Sequence, residues 1–529
     1  MNAARRTLSA ICLAAAAVGA IPAQAQISAF RQSVAERALG ADAVGEAYRN
    51  RDYAPIFTGR EDEARRQALL SALSKAGAHG LPTSRYDPDE LIAAFRSVKS
   101  DRDRGRVEMM AARMLVDFGR DISSGALEPG KVVPGIKREI ARPDAAEMLE
   151  AFAATGDPDA FLAGLAPRTP EYTRLMAEAQ RLVRVTAAGG WGPAVEGEKL
   201  EAGQSGGRVV ALRNRLIRMG YLERTASPDY DAALVSAVQQ FQRDHGIATD
   251  GVAGPSTLAA LNVSPEQRLA QVTVAMERER WLPRDRGERH ILVNITDFTA
   301  RILDDGKVTF ETRSVVGANN SDRQTPEFSD VMDHMVINPT WYIPRSITTK
   351  EYLPMMQRNP NAVSHLEVVD SRGRTVPRSA INFAAYSQSS FPFSMRQPPS
   401  QNNALGLVKF MFPNRYNIYL HDTPSKSLFS REKRAFSHGC VRLSDPFDFA
   451  YALLAKQSGD PRGLFQSHLR TGSETRVNLD APVPVHLIYR TAVSQPKGRM
   501  AYRGDVYGRD AELWEALRAA GVEVTAGRG

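Results

Sequence analysis

Near residue 288 the hydrophobic pattern of this chain changes period, and that change constrains its architecture more than any other feature. Upstream, apolar residues recur every three or four positions. In VEMMAARMLVDFGRDI the stripe is Val107, Ala111, Met114, Phe118 and Ile122, and in ARRQALLSALSKAGAHGL it is Leu69 and Leu73, with Gly77 and Gly80 as stop signals. Downstream, short runs alternate: HILVNI, then ARILDDGKVTFETRSVVG with Asp305-Gly306 as its hairpin signal, then VKFMF, NIYLHD and VPVHLIYR. In NIYLHD the alternation puts Ile418 and Leu420 on one face and Tyr419 and His421 on the other. Helical stretches are expected at 346–358 and 446–456. A chain of 529 residues exceeds one ordinary core. The expectation is therefore a multidomain α+β protein. A helical N-terminal scaffold covers residues 26–190, a small three-helix unit 200–265, a mainly β unit 288–490 and a C-terminal extension 491–529.

The first residues read MNAARRTLSAICLAAAAVGAIPAQAQ. Arg5 and Arg6 precede a short apolar run, and Ala23-Gln24-Ala25 offers small residues for cleavage before Gln26, the pattern of a secretory signal peptide over residues 1–25. Of the two cysteines, Cys12 lies in that segment, so export leaves Cys440 alone. A lone thiol in an oxidising compartment makes no internal disulfide; it is reactive, pairs with another chain, or is buried and inert. The net charge of +8 is spread thinly and no basic run carries interleaved aromatics, which argues against nucleic acid as a partner.

Cys440 stands in HDTPSKSLFSREKRAFSHGCVRL, which also holds His421 and His438. Ser444-Asp445-Pro446 reads as a helix start, so the thiol lies in a glycine-containing loop before a helix N-terminus, where the helix end and Arg442 favour thiolate. A thiol needs a base to become a nucleophile at neutral pH, and an imidazole both takes that proton and returns it to a leaving amine. The backbone N–H groups of Gly439 and Cys440 are candidates to hold an oxyanion. A zinc site is the competing reading, but one H-x-C with a distant histidine lacks paired ligand spacing. His486 alternates with Val485 and Leu487 on a strand, and His79, His245, His290, His334, His365 and His468 have no comparable context.

Two resemblances organise these observations. Residues 205–262, with V-x-x-L-x-x-x-L-x-x-x-G-Y, A-V-x-x-F-Q-x-x-H-G-I and D-G-V-x-G-P-x-T-L-A-A-L-N, resemble the peptidoglycan-binding domain of bacterial wall enzymes. S-H-G-C-V-R-L, with H-D-T-P nineteen residues before the cysteine, resembles the active-site signature of the L,D-transpeptidase family, whose catalytic domain is YkuD-like. R-Q-T-P at 323–326 and N-P-T-W-Y-I-P at 338–344 agree with it. The arrangement is similar to that of the large periplasmic L,D-transpeptidases of Gram-negative bacteria.

That resemblance implies Cys440 as nucleophile and His421 as general base and acid, with His438, Gly439 and Arg442 shaping the pocket and holding substrate or oxyanion. Tyr419, Ser437, Trp341 and Tyr342 fall at substrate-side positions; so does Asp422, where the family orients the histidine through a main-chain carbonyl or a varied residue. It further implies a capping insertion over 345–403, no metal or organic cofactor, a periplasmic location, acylation by carbapenems, and peptidoglycan tetrapeptide stems as donor and acceptor, with other wall-synthesis enzymes as further partners. The implied reaction cross-links third-position residues through a thioester and releases D-alanine. Hydrolysis by water, exchange with a D-amino acid, transfer to the lysine of an anchored protein, and a non-catalytic murein-binding scaffold are the alternatives.

Overall fold

The computed structural model describes residues 28–38, 43–495 and 499–523, so the expected signal segment and Cys12 lie outside the described residues. The longest helix, Asp101–Ser124, starts where the Ser100 side chain accepts from the Asp103 N–H, with Asp101 and Asp103 at its positive end. Its stripe residues Val107, Ala111, Met114, Phe118 and Ile122 are all buried, in one core with Leu69 and Leu73 of helix Glu63–Ser74. Gly80 closes the turn after that helix in the left-handed conformation, φ 65°.

The second unit is the expected three helices, Gly207–Arg218, Ala232–His245 and Pro255–Asn262, closed around Val209, Leu212, Leu216, Leu234, Val238, Phe241, Leu258 and Leu261. A helix absent from the sequence reading follows at Pro265–Arg280, started by a capping box of Ser264 and Gln267. Its Val272, Ala275 and Met276 join the core of the helical scaffold. Its last turn is charged and buried. Arg278 pairs with Glu327 of the β unit (2.5 Å) and Asp510 of the C-terminal helix (2.8 Å), and Arg280 pairs with Glu277 (2.7 Å). Buried ions are stable only with partners in place, so these pairs fix how the units meet.

The β unit comprises β1 (Arg289–Asn294), β2 (Thr299–Asp304), β3 (Lys307–Gly317), β4 (Phe328–Ile337), β5 (Trp341–Tyr342), β6 (Glu367–Val369), β7 (Ser394–Gln397), β8 (Val408–Met411), β9 (Leu420–His421), β10 (Ala435–Ser437), β11 (Val441–Leu443) and β12 (Thr475–Ile488). The main sheet runs β10-β3-β11-β9-β8-β4-β12-β1-β2, and β2 pairs in turn with β3, closing it on itself. Asp305 and Gly306 both take positive φ in the hairpin between β2 and β3, as the sequence signalled. Helices Pro446–Leu454 and Pro461–Leu469 cover the core through Phe449, Leu453, Leu454 and Phe465.

The stretch expected as a capping insertion contributes β6 and β7, which with β5 just ahead of it form a separate small sheet over its own core of Leu353, Met356, Val368, Phe383, Phe391 and Met395. Its neck is stitched by fully buried Asn403, whose amide donates to the carbonyls of Pro339, Gln397 and Pro398. A two-stranded ribbon, β13 (Ala492–Val493) with β14 (Ala501–Tyr502), and helix Arg509–Ala519 end the described chain. Among the described residues no helix is long and apolar enough to cross a membrane.

Candidate active site

Strands β9 and β11 are parallel neighbours, with Leu420 opposite Val441 and His421 opposite Arg442. Continuing that register sets Tyr419 against Cys440, whose following residue donates its N–H to the Tyr419 carbonyl (3.1 Å). Ile418, Leu420, Val441 and Leu443 point into the core. The alternate positions Tyr419, His421, Cys440 and Arg442 therefore share the opposite face. Two segments nineteen residues apart in sequence meet there because both are strands of one sheet.

The turn ahead of β11 is held from both sides. Buried Ser437 accepts the Gly439 N–H (3.1 Å) and donates to the Cys440 carbonyl (2.5 Å). The Gly439 carbonyl accepts from Thr325 Oγ1 (2.7 Å), which also receives the Gly317 N–H (2.8 Å). Gly439 has φ 114°, a conformation that disfavours any side chain, and a Cβ there would stand 3.2 Å from Ile418. The Gly439 N–H is thus committed to Ser437 and is not the oxyanion donor expected from the sequence. The Cys440 N–H has no acceptor among the described residues, so it is the backbone donor left for that role. Ser437→Ala strands a buried N–H and loosens the turn. It is expected to lower kcat about 10- to 100-fold with KM nearly unchanged, equivalent to roughly 1–3 kcal/mol, in steady-state assays of the purified protein.

The electrostatics differ from the sequence expectation as well. Burial pushes the Cys440 thiol up to about 11, against the downward pull of the Tyr419 backbone and hydroxyl and of Arg442. No helix end adjoins the sulfur: β11 separates Cys440 from helix Pro446–Leu454, whose cap is Asp445. Burial, then Arg442, lowers His421 to about 3. The resting groups are a neutral thiol and a neutral imidazole. His421 Nδ1 donates to the Asp422 carbonyl (2.5 Å); a carbonyl only accepts, so this bond fixes the tautomer with the lone pair on Nε2, and the Leu405 backbone also lies against the ring. The thiol itself donates to the Asn417 carbonyl (3.5 Å), so imidazole and sulfur are neighbours on the sheet face without being engaged in this state.

Tyr419 shares this face with both, its ring centroid 5.6 Å from that of His421 in an edge-to-face arrangement and its hydroxyl within reach of the Cys440 sulfur and the Trp341 indole. Burial, then Cys440, raises its phenol well above 10. The Arg442 side chain gives no hydrogen bond to any described residue, and its Nε is buried without a partner. That leaves a guanidinium poised for an anion.

The remaining expected residues divide. Half-buried Trp341 packs against the core of the small sheet, while Tyr342 is 65% exposed. The Asp422 carboxylate is buried and occupied, by the Leu407 N–H (2.9 Å) and Lys426 (2.7 Å), so it braces β9 instead of facing a substrate. The His438 ring bonds to Glu351 (2.8 Å), which also holds Arg323 (2.8 Å). Glu351 escaped the sequence reading, and Thr325 and Asn417, though inside the R-Q-T-P and NIYLHD motifs, were given no role there. Glu351 carries no local signal. Asn417 does carry one, since an Asn-Arg-Tyr-Asn stretch before a strand marks a turn, and it takes φ 55°. Among the described residues no group of three or more His, Cys, Asp or Glu is arranged to hold a metal ion.

Comparison with known proteins adds three family matches: "Scaffold domain" over residues 42–178, "Putative peptidoglycan binding domain" over 205–261 and "L,D-transpeptidase catalytic domain" over 288–466. A Haemophilus influenzae protein named "Putative L,D-transpeptidase" is 32% identical over 225 residues, covering 42% of this chain and 45% of that protein. The N-acetylmuramoyl-L-alanine amidase CwlL of Bacillus licheniformis is 42% identical over 67 residues, 12% of this chain and 19% of its own length. The chain thus spans less than half of either curated relative. Among solved structures, an L,D-transpeptidase from Xylanimonas cellulosilytica matches at 18% identity and TM-score 0.17, covering 56% of this chain and 100% of that one. One from Stackebrandtia nassauensis matches at 16% and 0.23, covering 56% and 97%. Superposition at that level carries no weight.

Proposed function

We propose that this chain, whose residues 288–466 match the L,D-transpeptidase catalytic domain, cross-links peptidoglycan stem peptides between third-position residues through a thioester on Cys440. The observation that carries the reading is the shared sheet face of Tyr419, His421, Cys440 and Arg442, built from two parallel strands. The reaction starts as the thiol leaves Asn417 and the sulfur attacks the carbonyl of the third stem residue, while His421 Nε2 takes its proton. A neutral base and a neutral thiol suit this order, because the charge appears only as the bond forms. The oxyanion is met by the Cys440 N–H and the free Arg442 guanidinium. Collapse expels the terminal D-alanine, whose amine receives the proton back from His421, and leaves the thioester. The side-chain amine of a second stem then attacks, its proton passes to His421, and the thiolate departs and is reprotonated.

The neighbouring peptidoglycan-binding domain supports murein as the polymer engaged, and its action on the wall supports a periplasmic site of work. Hydrolysis by water is the second reading, because nothing in the thioester chemistry excludes it. Incubation with disaccharide-tetrapeptide followed by mass analysis separates them. A dimer lighter by one D-alanine is the expected product; monomeric tripeptide indicates a carboxypeptidase, and unchanged substrate with retained sacculus binding indicates a scaffold.

A further inference from the structure

A cleft of about 770 Å³ separates the helical scaffold from the β unit. One wall is the segment after the first scaffold helices, residues 137–141; the other is formed by the start of β4 and the β8–β9 loop, Pro413–Tyr416. Its lining is cationic, with Lys137, Arg138, Arg284 and Arg415 against Glu139 and Asp330. Lys137 and Arg415 are exposed, and the ion pair across the cleft, Arg415 to Glu139, is 4.0 Å long and exposed on both sides. Such a pair contributes little, so Lys137 and the outer nitrogens of Arg415 are available to a ligand, while Arg138 is held by Ser329 and the Leu487 carbonyl and Arg284 by the Gly164 and Leu165 carbonyls.

The cleft is tied to the nucleophile along both of its β-unit walls. Asn417, whose carbonyl takes the Cys440 thiol, directly follows Tyr416 in the β8–β9 loop. Successive Cα atoms lie about 3.8 Å apart, so the cleft wall begins within one residue of the sulfur's hydrogen-bond partner. The loop is rigid: the Asn414 side chain donates to the Phe412 and Ile418 carbonyls and accepts the Tyr416 and Ile418 N–H groups. On the β4 side, Thr325 holds the Gly439 carbonyl three residues before Phe328, whose ring lies 4.9 Å from that of Tyr416. The expected capping insertion reaches the same turn through other residues, Glu351 on His438 and Arg323.

We propose that this cleft holds the acceptor: a peptide bearing free carboxylates, seated between Lys137 and Arg415 so that its amine approaches the Cys440 thioester past Tyr416 and Asn417. The assignment rests on the transpeptidase reading, in which the acceptor stem is such a peptide. It gives the helical scaffold a part in the reaction, since no segment of the β unit supplies Lys137 or Arg138.

The test is the protein carrying Lys137→Glu and Arg415→Glu, singly and together. Both side chains are exposed and neither anchors the core. The donor half-reaction, read as the mass of the acyl-enzyme formed from tetrapeptide, is expected to be unchanged. The KM for acceptor is expected to rise about tenfold in the double variant, and the products to shift from dimer to hydrolysed tripeptide. An unchanged acceptor KM with normal acylation overturns the cleft assignment, and so does an equal loss in both half-reactions. Absence of any acyl-enzyme in the unsubstituted protein overturns the transpeptidase reading beneath it.

Discussion

Cys440→Ala is expected to abolish product formation, by at least about four orders of magnitude in kcat, while leaving the fold intact. The size of the effect follows from the chemistry. Without the sulfur there is no covalent intermediate, and neither half-reaction can run alone, because the acceptor amine attacks only an activated acyl group. Nothing else on the sheet face can substitute: the Tyr419 phenol is held well above its usual range by burial and by Cys440, and His421 is fixed by its bond to the Asp422 carbonyl. The fold should tolerate the change, since Cys440 keeps some contact with solvent, its hydrogen bond to Asn417 is long, and the Tyr419 hydroxyl that reaches the sulfur also reaches the Trp341 indole. Intact-mass measurement after incubation with tetrapeptide, or with a carbapenem, provides the check. The unsubstituted protein should gain the acyl mass and the variant should not. A variant that still forms dimer at more than a few per cent of the normal rate would remove Cys440 from the mechanism.

What the sequence disclosed and what it hid separate along physical lines. Helical stripes and glycine stops act locally, so the scaffold helices, the three-helix unit and the Asp305-Gly306 hairpin were legible from residue spacing. The alternation in NIYLHD also placed Tyr419 and His421 on one face, although only Leu420–His421 forms a strand, because Asn417 turns the chain just before it. The central strand β4, FSDVMDHMVI, was not legible: Met332, Met335, Val336 and Ile337 are buried among polar neighbours without clean alternation. Helix Pro265–Arg280 displays its capping box openly, but its charged last turn reads as a solvated face, and only pairing with Glu327 and Asp510 buries it. The same limit applied at the site. Residue type identified Cys440, His421 and Arg442 as a chemical set. That the Gly439 N–H goes to Ser437, that the thiol is destabilised as an anion and that Glu351 reaches His438 all depend on chain segments brought together from far apart in sequence, which spacing cannot express.

Acid should destabilise this protein steeply between pH 7 and pH 5. Four histidines are held neutral in the folded chain. Burial lowers His421 and His245 to about 3 and His79 and His486 to about 4, and cations beside each act in the same direction: Arg442 and Lys409, Arg268 and Arg503, Arg280 and Lys75, and Arg138 and Arg286. In the unfolded chain each titrates near 6.5, so below that pH the unfolded state binds protons that the folded state refuses, and stability falls as pH falls. Two carboxyls oppose this. Burial raises Asp121 to about 6 and also raises Asp510 against the pull of Arg278, so both take up protons in the folded state first and regain some stability as pH falls below about 6. At pH 5 the histidines remove roughly 7 kcal/mol relative to pH 7, and the two carboxyls return only part of that. Total stabilities of about 5–15 kcal/mol make that decisive. Thermal melts of Cys440→Ala, which avoids oxidation of the lone thiol, should show Tm dropping by many degrees from pH 7 to pH 5. His486→Gln, which keeps a polar partner for Ser329 but cannot take up a proton in the unfolded state, should flatten that slope by about a quarter. A Tm that stays level down to pH 5 would mean that the buried imidazoles are not held neutral, and with them the resting state assigned to His421 would fall.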